Sequence, residues 1–399
     1  MPRIRRTVYA FFHRYDAPVL PPEDLLRGET NVRREPRLLA ISVLRGAEFE
    51  ISEDDFTLLA SVPSDRWVDV DELTPEHRRL AELGLLVSSQ ADPLLAELLR
   101  RDEQLTDGRW NIYAALFHSL TRWRDVDFRR RLGPELEELP VQPAERVEAL
   151  VKRHGPLPPH FHTAERALSE LELPMVRRSG GLFDTLGERR TTRAFDRDAA
   201  VTTDEIASVL YEVFGCRGYA QLGAGITVLK RTSPSGGSLH PIEPYVLVRN
   251  VAGMDPGIYH YRADRHALEL IEPLTEPDAA ELAAQFTSGQ AYFAGASAFF
   301  ILTARFSRSF WKYRKHRRAY SVLLLDAGHL SQTLYLVCAE LGLGAFVTGA
   351  FNGADIEERL RLEPFAEGVL AVSGCGRPTR TPSDLEPEFS PYVPRETTV

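Results

Sequence analysis

The 399-residue chain has only three cysteines, Cys216, Cys338 and Cys375, and they lie far apart. That pattern excludes a disulfide framework and a zinc knuckle, offers no metal site, and fits a reducing, cytoplasmic setting. A basic tail is absent and the net charge is −9, which argues against nucleic acid as the main partner. No run of about 18 uncharged apolar residues exists, so no membrane span is predicted. The N-terminus, MPRIRRTVYAFFHRYD, is basic and then briefly apolar. His13, Arg14 and Asp16 interrupt it too early for a secretory core, and no small-residue cleavage site follows. Neither G-x-x-x-x-G-K-[ST] nor a G-x-G-x-x-G after a strand is present, so a P-loop and a Rossmann site are both unsupported. No internal repeat is visible.

What remains is an ordinary globular composition at a length that suits two domains. Residues 36–90 read as a small module. Leu38–Leu44 and Phe49–Ile51 make a strand pair around the Arg45-Gly46 turn, and Ser52 caps a helix carrying Phe56, Leu58, Leu59 and Val62. Trp67, Val68 and Val70 are extended. Thr74-Pro75 opens a second helix that ends at Gly84, before Leu85–Val87. Strands, helix, short strand, helix, strand is the order of a winged-helix-like unit, and equally of a plain α/β packing domain. Residues 91–139 read as amphipathic helix, with Trp110, Tyr113, Leu116, Phe117, Leu120 and Trp123 as core. The Pro-rich stretch from Gly155 to Pro159 opens a linker, taken as 155–176 after an N-terminal region 1–154.

From 177 to 399 the text reads as one α+β domain with helices layered on a sheet. Asp184–Arg190 and Thr203–Phe214 are helical. Tyr245–Val248, Ile258–Tyr261, Leu268–Ile271, Phe299–Thr303, Ala345–Val347 and Val369–Val372 are extended. A long apolar helix runs from about Tyr320 to Leu341, closed by Gly342.

Three segments of this half suit an anionic, planar ligand. In Arg189-Arg-Thr-Thr-Arg193, cations and hydroxyl donors meet at a helix end, as a phosphate requires. In "SPSGGSLHPIEPY", the residues Pro234 to Gly237 form a backbone almost without side chains, directly before a core strand; bare loops of this kind let a backbone approach something closely. The third is Thr348-Gly-Ala350 after a buried strand, with Gly374-Cys-Gly-Arg377 near the end. Singly each is weak, since paired arginines are most often surface charge and Gly-Gly is most often a turn.

In this order, "ERRTTRAF", "SPSGGSLHPIEPY", "GIYHY", "LLLDAGHLSQTLYLVCAELGLGAFVTGAF" and "VSGCGRP" resemble the nitroreductase superfamily. More narrowly they resemble its peptide-modifying branch, the SagB-type azoline dehydrogenases of thiazole/oxazole-modified peptide biosynthesis. The resemblance covers about 185–378. It implies a central mixed or antiparallel sheet flanked by helices, and FMN bound at the interface of a homodimer. It places Arg190, Thr191 and Arg193 on the ribityl chain and phosphate. Pro234, Ser235, Gly236, Gly237 and Leu239 would line the flavin, and Gly349 and Ala350 would offer backbone donors near its reactive nitrogen. Arg377 is a second phosphate cation, with Arg380 as its competitor.

The same resemblance gives Lys312 and Tyr313 catalytic roles. Oxidising a thiazoline or oxazoline ring removes a proton from one carbon and a hydride from the next, so a base is required. A cation beside a phenol favours the phenolate. The surrounding run, Arg305 to Arg318, is rich enough in Lys and Arg to contain such a pair by chance, and Arg314 stands where a glycine often follows the tyrosine. The basic excess also suits an acidic peptide. His240 and His329 read as structural, and Cys338 and Cys375 as small core residues.

The expected function is therefore FMN-dependent oxidation of azolines in a ribosomal precursor peptide that another enzyme, a cyclodehydratase, has cyclised. Residues 36–90 would bind its leader. Two alternatives stay open: an NAD(P)H-dependent reductase of dehydroamino acids, nitro compounds or quinones, and a peptide-binding scaffold with a structural flavin domain.

Overall fold

The computed structural model describes all residues except 20–32, 130–142, 157–158, 160, 162–163, 165, 167, 172, 175–177, 224, 381–385, 387–388 and 390–399. The linker assigned to 155–176 lies partly outside the described residues.

The chain opens with strands β1 (Arg3–Arg6) and β2 (Ala10–Val19), followed by β3 (Arg33–Ser42) and β4 (Ala47–Ile51). Next come α1 (Glu53–Ser61), β5 (Val68–Asp69), α2 (Pro75–Glu82) and β6 (Leu86–Ser88), and then the helices α3 (Pro93–Asp107), α4 (Ile112–Thr121) and α5 (Pro143–His154). Strands β2-β3-β4 form one antiparallel sheet and β5-β1-β6 another. Ser52 and Asp55 cap α1 reciprocally: the Ser52 Oγ accepts from the Asp55 N–H and the Asp55 carboxylate accepts from the Ser52 N–H, each at 3.0 Å. Gly84 ends the α2 region at φ +67°, where a side chain would be strained.

Two expectations change here. The N-terminal module begins at residue 3, because β1 is the middle strand between β5 and β6. Its arginines hid it: only Ile4 points into the core. The aromatic face of α4 is also reversed. Trp110 is fully buried, but Tyr113, Phe117, Leu120 and Trp123 are exposed, while Ala114, Ala115, His118 and Ser119 face inward. The tight seam behind α4 admits small and hydrogen-bonded side chains, so the larger apolar residues lie outside.

The second half runs α6 (Leu182–Glu188), β7 (Val201–Thr202), α7 (Thr203–Phe214), β8 (Gly218–Gln221), β9 (Thr227–Lys230), β10 (Ile242–Val248) and β11 (Val251–Ala252). It continues β12 (Gly257–Arg262), β13 (Ala267–Pro273), α8 (Glu276–Phe286), β14 (Ala298–Arg305), α9 (Phe306–Tyr313), α10 (Ala319–Glu340), β15 (Gly344–Thr348), α11 (Gly353–Arg359) and β16 (Glu367–Gly376). All six long extended segments of the sequence reading are strands of one sheet, ordered β13-β12-β10-β14-β16-β15, and every pairing in it is antiparallel. Its strands alternate: Val246, Val248 and Phe300 join α7 and α10 in one core, and Leu247, Phe299 and Ile301 join α8 and α11 in the other. The β8–β9 hairpin and α8 were not read from sequence. Among the described residues α10 is the one helix long and apolar enough to cross a bilayer. Ten of its 22 residues are buried within the fold, where it packs on α7, β15 and β16.

The two halves share a core. Tyr9, Val43, Leu44, Leu98, Leu105 and Trp110 belong to the same buried cluster as Val246, Phe306 and Leu323. His118 lies at this seam, fully buried, with Nε2 2.8 Å from the Pro364 carbonyl and Nδ1 3.0 Å from the Tyr320 hydroxyl. The carbonyl only accepts, so Nε2 carries the proton and Tyr320 donates to Nδ1. Burial, with the Arg122 charge nearby, pushes the imidazole down to about 3. The unfolded chain therefore binds a proton below about pH 6.5 that the folded chain refuses, and stability falls with pH from there. We expect wild type to lose about 2–3 kcal/mol more than His118→Gln between pH 7 and pH 4.5, measured by urea unfolding. Parallel losses would remove His118 as the cause.

Candidate functional site

A buried carboxylate organises the bare loop. Asp326 sits in α10 and accepts from the Ser235 Oγ at 2.6 Å and the Gly236 N–H at 3.0 Å. The Ser235 Oγ in turn accepts from the His240 N–H at 2.9 Å, and the Ser233 hydroxyl lies 2.6 Å from that of Thr333. A Cβ at Gly236 would overlap Val322 of α10. Gly237 has φ +65°, and a Cβ there would lie 2.8 Å from Lys312 Nζ and 3.1 Å from Tyr313 Oη. The close approach that the glycines permit is therefore to α10 and to the Lys312–Tyr313 pair at the end of α9. Lys312 Nζ also stands 5.7 Å from the centre of the Tyr313 ring.

The histidines divide. His240 is buried with its Nε2 donating to the Leu229 carbonyl at 3.1 Å, and burial and the Arg231 charge hold its pKa down, which is a structural role. His329 differs from expectation: it is exposed halfway along α10, with Nδ1 3.3 Å from the Pro234 carbonyl, because its helical position faces the loop and solvent. Cys338 and Cys375 are buried, and Cys338 is raised by its hydrogen bond with Cys375 and by burial.

The arginine-threonine segment lies elsewhere on the same helix. The Arg189 guanidinium stacks on the Tyr335 ring at 5.4 Å, and the Thr191 hydroxyl is 3.0 Å from the Tyr335 hydroxyl. That hydroxyl accepts from the Val347 N–H at 3.0 Å, which ties the segment to β15. The Arg193 and Ala194 N–H groups both donate to one carboxylate oxygen of Glu386, the latter at 2.9 Å. Arg190 is exposed. These residues border a cleft of about 1120 Å³ whose walls include Tyr335, Gly342 to Ala345, Pro378, Glu386 and Phe389.

Two further predicted positions are partly committed. The Ala350 N–H donates to the Thr348 Oγ1 at 3.0 Å and the Ala350 carbonyl accepts from Gln290, whereas Gly349 is exposed. Arg377 pairs with Glu205 at 2.7 Å, the carboxylate that also caps α7, and does not border the cleft; Arg380 is exposed.

Helical geometry separates the two groups. Asp326, which holds the loop, and Tyr335, which holds the arginine segment, are nine residues apart on α10. That is about 13 Å of rise and a half-turn beyond whole turns, so the groups leave opposite faces of one helix. None of Pro234 to Leu239, Lys312 or Tyr313 borders the large cleft. The sequence reading missed Asp326, Tyr335 and Glu386. Asp326 left a signal: it is the sole acid between Ala319 and Ala339 in an otherwise apolar helix.

The nitroreductase family model matches residues 186–377. MJ1384 of Methanocaldococcus jannaschii, a protein named as a nitroreductase, is 31% identical over 206 residues, 51% of this chain and 95% of that protein. The chain belongs to the nitroreductase family, a class of oxidoreductases. It is also similar to the trifolitoxin-processing protein TfxB of Rhizobium leguminosarum bv. trifolii, at 35% identity over 150 residues, 36% of this chain and 39% of TfxB. The microcin B17-processing protein McbC of Escherichia coli is 27% identical over 153 residues, 37% of this chain and 54% of McbC.

The contact behind Gly236 can be tested by repacking. Gly236→Ala should cost about 1–3 kcal/mol in urea unfolding, as overpacking does, and clearly less when Val322→Ala supplies room. Equal costs in both backgrounds would show that Val322 is not the reason for the glycine.

Proposed function

We propose that the chain is an FMN-dependent dehydrogenase that oxidises thiazoline or oxazoline rings in a ribosomally made peptide to azoles. The observation that carries this reading is the convergence of Lys312 Nζ and Tyr313 Oη on the Gly236-Gly237 backbone. The similarity to two toxin-processing proteins supports a peptide substrate.

The residues present fit the cofactor. An anion, the Glu386 carboxylate, already rests on the Arg193 and Ala194 amides beside the cations of 189–193, the donor chemistry that a phosphate needs. Arg190, Thr191 and Arg193 would hold the phosphate and ribityl chain. Pro234, Ser235, Gly236, Gly237 and Leu239 would line the ring, and Gly349 is better placed than Ala350 to donate, since the Ala350 N–H already has a partner. Arg377 would serve only after leaving Glu205. When bound, FMN supplies a hydride acceptor. The chain's own part is the proton: the Tyr313 oxygen would take it from the ring carbon, with the Lys312 ammonium beside it over Gly237.

Because the phosphate group and the loop group leave opposite faces of α10, we assign each complete site to two copies of the chain in a homodimer. The cyclised peptide would come from a cyclodehydratase partner, and the N-terminal sheets would bind its leader as a winged-helix-like unit, at the strands that end them among the described residues, β2, β4, β5 and β6. The similarity to MJ1384 favours a second reading, NAD(P)H-dependent reduction of nitro compounds, quinones or dehydroamino acids.

The deciding experiment incubates purified protein with FMN, air and an azoline-bearing peptide and reads mass. Loss of two hydrogens per ring is expected, and Tyr313→Phe should slow it by about 10²–10⁴-fold with FMN still bound. An unchanged mass together with rapid NAD(P)H oxidation would overturn the dehydrogenase in favour of the reductase. Glu386→Gln should bind FMN roughly tenfold more tightly in a fluorescence titration, since a charged competitor leaves the amides; unchanged affinity would place the phosphate elsewhere.

A further inference from the structure

The turn that follows the candidate base is held by the other half of the chain. α9 presents Phe306 and Phe310 inward, and both rings pack on Trp110, with centroids 4.6 and 4.9 Å away. Trp110 is itself fixed, buried with its indole N–H donating to the Phe365 carbonyl at 3.0 Å. Beyond Tyr313 the chain turns sharply, and Lys315 adopts φ +41°, a conformation that costs a non-glycine residue on the order of 1 kcal/mol or more. Both backbone groups of Lys315 are occupied by the neighbours of Trp110. Its N–H donates to the Arg109 carbonyl at 2.8 Å, and its carbonyl accepts from the Asn111 side-chain amide at 3.0 Å. Residues 109–111 thus grip α9 from its buried face and the turn two residues after Tyr313.

We infer that Asn111 is a positioning residue for the base: its amide holds the Lys315 turn so that Tyr313 Oη stays over Gly237. This rests on the reading of Tyr313 proposed above. It makes the N-terminal half a working part of the oxidising site as well as a platform for peptide. Asn111 has a second role that must be separated out, because its Oδ1 caps α4 by accepting from the Tyr113 and Ala114 N–H groups at 3.0 and 3.3 Å. Asn111→Asp and Asn111→Ser both keep a good cap acceptor but lose the amide donor to Lys315.

The test measures azoline oxidation by full-length Asn111→Asp and Asn111→Ser, with thermal midpoint and FMN affinity recorded alongside. We expect kcat to fall by about tenfold or more, as small misplacements of a reacting group do, with peptide KM, FMN affinity and thermal midpoint unchanged. In the Tyr313→Phe background the same substitutions should have little further effect, since they act through the missing hydroxyl. Unchanged kcat in both variants, or an equal loss in the Tyr313→Phe background, overturns the positioning role while leaving the base intact. Full activity of Tyr313→Phe alone overturns the base, and this inference with it.

Discussion

One buried carboxylate on one helix sets the geometry of the candidate site. Asp326 lies in the apolar body of α10, where an unpaired charge would be costly, and the loop from Ser235 to Gly236 supplies the donors that satisfy it. The loop is thereby drawn onto the helix so closely that only glycine fits at 236, and the same approach brings position 237 under Lys312 and Tyr313. Further along, on the opposite face, Tyr335 ties down the arginine-threonine segment through its hydroxyl and its ring. α10 is therefore both the core of the domain and the ruler that spaces the two groups of candidate site residues.

Much of this was legible in the sequence, and the reasons are physical. The sheet strands are continuous apolar runs because both faces are covered, so β10, β14 and β16 announce themselves. The caps at Ser52 and Thr74 and the glycines at 84 and 342 mark helix ends by local chemistry. The order of the three ligand-like segments carried the family resemblance. What was not legible depends on contacts distant in sequence. β1 is a strand only because β5 and β6 flank it, and its arginines disguise it. The large residues of α4 look like core but face out, since the seam behind them holds His118, Ser119 and two alanines. The bare loop was read through the resemblance as approaching a flavin ring, while the contacts its glycines make with Val322, Lys312 and Tyr313 were not visible in the sequence, and Arg377 advertised a free cation although Glu205 neutralises it.

The two halves of the chain are not independent modules joined by a tether. Trp110, His118 and Asn111 reach from the first half to Phe365, Pro364 and Lys315 of the second. Through these contacts the first half packs directly against the end of α9.

In the proposed dimer, the phosphate-holding residues and the base of one working site would come from different copies of the chain, because α10 turns them apart within each. Mixing Arg193→Gln with Tyr313→Phe protomers, at a flavin concentration where Arg193→Gln alone stays empty, tests this directly. Random pairing makes about half the dimers mixed, and each would regain one intact site of two, so about a quarter of wild-type azoline oxidation should return. Activity that stays at the level of the two separate variants, with mixed dimers demonstrably present, would place both groups in one chain's site and rule out the shared arrangement.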